Sequence, residues 1–101
     1  MRNVPDTNPF EEDISQGYQR IAGIDLAQPT DRFWVRDARL INSTRNPGMQ
    51  FVFLEGPNPS HPGNVLRAIL SADMWPSIQK AYASGKTLLC VGTTVYAKSG
   101  D

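Results

Sequence analysis

The stretch from Asn64 to Lys98 constrains the fold most, because it reads as strand, short helix, glycine stop and second strand in immediate succession. A helix is expected over about 73–84. Asp73 is placed to cap it, since a carboxylate can accept from the free amides of the first turn and suits the positive end of the dipole. Pro76 then falls at the third helical position, where a missing N–H costs little. Met74, Ile78, Ala81 and Tyr82 recur with the helical period, Trp75 lies beside them, and Ser77, Gln79 and Lys80 face away. Gly85 suits the left-handed residue that ends a helix, with Lys80 and Lys86 near the negative end of the dipole.

The rest of the chain reads as strands that could cover that apolar face. Residues 17–26 have the spacing of a short strand. Residues 33–42 form a strand, followed by Asn46-Pro47-Gly48, where proline fixes φ and glycine supplies a positive φ for a tight turn. In the next strand, 49–55, Met49, Phe51 and Phe53 line one face and Gln50, Val52 and Leu54 the other. Neither face is plainly polar, so the strand is expected to be central and to pair with 33–42 as a hairpin. Gly56 to Gly63 holds three prolines and two glycines in eight positions, which makes it an exposed loop. Residues 64–71 form the third strand, and 87–98 a long strand bent at Gly92.

This order, a β-β-β meander, a helix and a long bent strand, resembles the OB-fold, a small antiparallel Greek-key barrel with its helix between the third and fourth strands. The resemblance is one of topology over residues 33–98 and includes the junction Ala83-Ser84-Gly85-Lys86-Thr87. Such a barrel needs a fifth strand. Either the last strand turns at Gly92 and serves twice, or residues 18–25 supply the missing edge. An SH3-like barrel and an open α+β sheet are the alternatives.

The 101 residues suffice for one domain, 17–101, preceded by an arm, 1–16, expected to be extended or flexible. Formal net charge is zero but unevenly placed. Residues 1–25 set two cations against five carboxylates, a net −3, and residues 26–101 set eight against five, a net +3. No charged and apolar leader opens the sequence and no apolar run approaches the ~18 residues of a membrane span, so a cytoplasmic location is expected.

No catalytic constellation emerges, and the expectation is a non-enzyme without cofactor or metal. His61, the one histidine, lies in the Pro/Gly loop with no visible nucleophile beside it. Cys90, the one cysteine, sits between Leu89 and Val91 as a buried thiol would. Ser84-Gly85-Lys86-Thr87 imitates a phosphate loop but has lysine at position 80 where the motif needs glycine, and a strand follows it where the motif needs a helix. Glu11-Glu12-Asp13 lacks the spacing of a calcium loop.

What remains is a binding surface. Trp34, Arg36, Arg39, Arg45, Arg67, Lys86, Tyr96 and Lys98 lie on or beside the expected strands. Cations there could track phosphates of single-stranded DNA or RNA while Trp34, Phe51 or Tyr96 stack on bases. Against this, Phe51, Phe53 and Trp75 also read as core, and the whole chain is not basic. The competing reading is a protein–protein assembly or inhibitor module, self-associating or capturing a partner through the arm at Phe10, Glu11, Glu12 and Asp13.

Overall fold

A computed structural model describes residues 4–23 and 31–98. Residues 24–26 of the first expected strand, and the first three residues of the arm, lie outside that range. Among the described residues the chain is mainly β, with seven strands in two antiparallel sheets and one α-helix. The strands are β1 (Tyr18–Ala22), β2 (Arg32–Trp34), β3 (Asp37–Asn42), β4 (Gln50–Pro57), β5 (Val65–Ser71), β6 (Leu88–Val91) and β7 (Thr94–Lys98), and the helix is α1 (Trp75–Ala83).

The single strand expected over 33–42 is two. β2 pairs with β6 and β3 with β4, so the chain changes sheets at Val35-Arg36. Two amides hold that corner: Val35 N donates to Leu88 O at 2.9 Å and Arg36 N to Glu55 O at 2.8 Å. Gly56 makes the crossing possible, because a Cβ there would stand 1.8 Å from the Trp34 carbonyl oxygen. Only a residue without a side chain lets the two sheets approach so closely.

The long strand expected over 87–98 is likewise a hairpin. β6 and β7 pair through a two-residue turn, Val91 opposite Thr94, with Gly92 at φ 62°. Glycine at the first central position matches the turn geometry that antiparallel twist favours. β7 then pairs with β1 on its other side. Both devices considered for the missing edge are therefore present, and they complete a four-stranded sheet in the order β1-β7-β6-β2. The second sheet has the order β3-β4-β5, which puts β4 in the centre as its two apolar faces imply. The two sheets do not close into a continuous barrel among the described residues.

The β3–β4 connection forms as its sequence dictates: Met49 N donates to Asn46 O at 3.0 Å across the turn, and Gly48 takes φ 92°. The start of α1 differs from expectation. Ala72–Met74 is a 3-10 turn, Met74 takes the N-cap position without a side-chain cap, and Asp73 lies inside that turn. Pro76 consequently falls at the second helical position, still among amides that need no intrahelical partner. At the other end Gly85, at φ 78°, turns the chain so that Gly85 N donates to Tyr82 O and Lys86 N to Ala81 O. Those paired bonds satisfy the last carbonyls.

The main core lies between the sheets, with Ala38, Val52, Leu54 and Leu70 facing Phe33, Leu88, Cys90, Val95 and Ala97, and α1 adding Ile78 and Ala81. A second cluster, Trp34, Leu89 and Val91, lies on the opposite face of the four-stranded sheet. β6 is thus buried on both faces, which is why Leu88–Val91 is an unbroken apolar run.

Candidate functional site

The register of the three-stranded sheet decides which side chains reach solvent. β3 opposes β4 with Arg39 against Phe53 and Ile41 against Phe51, while β5 sets Ile69 against Phe53 and Arg67 against Glu55. Since Ala38, Leu40, Val52, Leu54, Ala68 and Leu70 belong to the core, the odd-numbered set must face outward. Phe51 and Phe53 are therefore half-buried surface residues, which corrects their reading as core. The inner face of β4 is filled by Val52 and Leu54, both fully buried, and leaves no room for rings.

On this open face two phenylalanines stand two residues apart, roughly 6.8 Å along the strand. The Arg39 guanidinium sits 4.8 Å from the Phe53 ring centroid, within cation–π reach. Arg67 Nε donates to Glu55 Oε2 at 2.8 Å, and Arg39 Nε lies 3.8 Å from Asp37 Oδ2. Both arginine side chains are 61% exposed, so each pair contributes about 1 kcal/mol or less and leaves the guanidinium able to exchange partners. Ile69 is 52% exposed beside Phe53, and Met49 is 48% exposed at the end of β4. Arg45 is exposed in the β3–β4 connection at that same end.

The other sequence-predicted residues lie elsewhere. Trp34 is 3% exposed, and its Nε1 donates to Thr7 O at 2.7 Å. Tyr96 packs with it in the second cluster. Arg36 is half-buried at the corner, with its Nε enclosed and lacking an acceptor among the described residues. It shares a cleft of about 470 Å3 with Trp34, Pro9 and Pro57. Lys86 follows the helix stop and Lys98 ends β7, both exposed and neither on the open face.

Residues 4–16, expected as an arm, lie against the outer face of the four-stranded sheet. Pro9 is buried in a 3-10 turn, and Val4 and Ile14 pack on the Trp34 cluster. Arg32 donates to the carbonyls of Pro9 and Glu12, and Tyr18 Oη donates to Glu12 Oε1 at 2.7 Å. The Ser15 hydroxyl and amide donate to Asp13 and hold its carboxyl below the ordinary carboxylate range. Phe10 is 47% exposed and Glu11 exposed, so this edge of the segment faces outward among the described residues.

Of the groups weighed for chemistry, His61 is exposed in its loop and Cys90 is fully buried. Burial, with a smaller contribution from the Asp31 charge, pushes the Cys90 thiol up to about 12, which removes thiolate reactivity near neutral pH. Among the described residues no group of three or more His, Cys, Asp or Glu side chains is placed to hold a metal ion. None of their helices is long and apolar enough to cross a membrane. No protein family, no curated protein and no solved structure compared with this chain matches it.

Proposed function

We propose that the chain is an OB-like module that binds single-stranded nucleic acid on the open face of β3-β4-β5. The connectivity supports the fold reading. Taking β2 and β3 as halves of one bent strand, five strands run β2/β3, β4, β5, β6, β7 with α1 between the third and fourth. The bent strand pairs with both β4 and β6, as a strand shared by two sheets of a partly open Greek-key barrel does. In that architecture the face of the second and third strands and the loop before them carry oligonucleotides, which here means β4, β5 and the Arg45 connection.

One observation carries the functional reading: Phe51 and Phe53 stand side by side on that face, flanked by Arg39 and Arg67. Aromatic rings accept bases irrespective of sequence, each worth roughly 1–3 kcal/mol, while arginines meet phosphates. Anisotropy of a labelled oligothymidine at about 50 and about 200 mM salt tests it. Saturable binding that weakens with salt and falls at least tenfold in a Phe51→Ala/Phe53→Ala variant is expected. Binding that ignores that double substitution overturns the assignment to this face.

A second reading, protein–protein association through the same face, is favoured by its charge. Asp37 and Glu55 offset Arg39 and Arg67, and the exposed apolar side chains Ile69 and Met49 adjoin them. Sedimentation without nucleic acid separates the two: concentration-dependent self-association lost on Ile69→Lys supports this reading, and a strict monomer counts against self-assembly.

A further inference from the structure

The cleft of about 470 Å3 beside Trp34 lies between residues 4–9, the corner at Arg36 and the end of β4. Its volume falls within the range of small-molecule sites, about 300–1,000 Å3. Val4, Pro5, Pro9, Pro57 and Pro59 give it a largely apolar lining. Four of those five are prolines, whose fixed φ leaves little backbone freedom to lose on binding. The segment on one side is tied down by Trp34 Nε1, which donates to Thr7 O at 2.7 Å, and by Arg32, which donates to Pro9 O at 3.3 Å. The concavity is therefore formed before any ligand arrives.

The fold sets one guanidinium in this lining. The Arg36 backbone is held on both sides, its amide donating to Glu55 O at 2.8 Å and its carbonyl accepting from Tyr82 Oη at 3.3 Å. Its side chain makes no hydrogen bond or ion pair among the described residues, and Nε is enclosed without an acceptor. The Glu55 carboxylate accepts from Arg67 Nε at 2.8 Å instead. Asp6, the one carboxylate in the lining, is exposed and makes no ion pair with Arg36. A half-buried cation without a counter-charge is costly to keep, and an anion in the cleft would relieve that cost.

We infer that this cleft binds a small organic monocarboxylate with an apolar body. Because Nε is out of reach, the two terminal nitrogens of Arg36 would meet the carboxylate end-on, as two parallel charge-assisted hydrogen bonds. The prolines and Val4 would take the apolar body. A polyphosphate or other polyanion suits the site less well. One guanidinium offers one positive charge, and Asp6 in the same lining repels any charge beyond it.

The test is a titration of isotopically labelled wild-type protein with phenylacetate at constant ionic strength. Saturable shifts are expected at the Arg36 Nε–H, the Trp34 indole N–H and the amides of residues 6–8. Phenylacetamide, which has the same shape without the charge, should bind at least tenfold more weakly, and so should inorganic phosphate, which lacks the apolar body. These comparisons use the unaltered protein, so they do not depend on a variant that folds. Arg36→Lys keeps the charge but loses the planar pair of donors, and should weaken phenylacetate at least fivefold while the amides of β6 and β7 keep their positions. Shifts that never saturate, equal binding of the amide, or phosphate binding as tightly as phenylacetate would each overturn the inference. The Phe51→Ala/Phe53→Ala variant should bind phenylacetate as the wild type does, so the result is independent of whether the β3-β4-β5 face takes a single strand.

Discussion

The two sheets present their outer faces to different fates. On the four-stranded sheet, Trp34, Leu89 and Val91 are covered by residues 4–16, and Trp34 and Arg32 fix that cover by donating to its carbonyls. On the three-stranded sheet no segment covers Phe51 and Phe53 in this way among the described residues, where Arg39, Arg67 and Ile69 are their neighbours. An aromatic under a bonded segment contributes through burial, whereas one on an open sheet keeps its face for a ligand. On the proposed function, the contrast separates residues that hold the fold from residues assigned to recognition.

The largest expected effect tests that separation by stability. Trp34→Ala should cost about 3–5 kcal/mol in urea unfolding, and Phe53→Ala about 1 kcal/mol or less, because only the first leaves a buried void. Equal costs would erase the distinction between the faces. Gly56→Ala comes next. Its methyl group collides with the Trp34 carbonyl at the corner joining the sheets, and about 1–3 kcal/mol should be lost as the backbone shifts. Wild-type stability in that variant would mean the sheets are less tightly apposed than described here.

Removing residues 1–9 should cost a similar amount, about 1–3 kcal/mol, since it leaves the Trp34 indole N–H without its Thr7 acceptor. The Trp34 emission should shift red as water reaches the ring. An unchanged spectrum would show that the cover does not exist in solution.

Much of this was readable from the sequence, and the failures have physical causes. The Asn46-Pro47-Gly48 turn, the glycine stop at Gly85 and the central position of 49–55 follow from local chemistry, and each is present. The split of 33–42 into β2 and β3 was not readable. Val35-Arg36 carries no proline or glycine, and the bend is imposed from outside by Gly56 and by amide bonds to two different sheets. The outward placement of Phe53 did have a signal. Asp37 and Arg39 alternate with Ala38 and Leu40, which fixes the solvent face of β3, and the turn at 46–49 sets Arg39 opposite Phe53. The ring must share the arginine's face. Hydrophobicity alone pointed the other way, because the alternating aliphatic residues Val52 and Leu54 fill the core equally well. The covering of Trp34 by residues 4–16 had no local signal, since it depends on contacts between segments more than twenty residues apart.

The last effect concerns Cys90 and is confined to alkaline pH. Its thiol titrates near 9.0 when unfolded and is pushed to about 12 in the fold, so the unfolded chain loses its proton first as pH rises. The stabilising contribution is fully present below pH 9 and declines between about pH 9 and 12. Comparing the pH dependence of unfolding with that of Cys90→Val isolates this effect, and superimposable profiles would contradict the shift.

The most direct test of the contrast between the faces is a titration of isotopically labelled protein with oligothymidine, following the amides of β3, β4 and β5 together with the Trp34 indole N–H. The account predicts saturable shifts at Arg39, Phe51, Phe53, Arg67 and Ile69 while the indole signal stays fixed. Movement of the Trp34 indole with β4 and β5 unperturbed would place recognition on the covered sheet and contradict it.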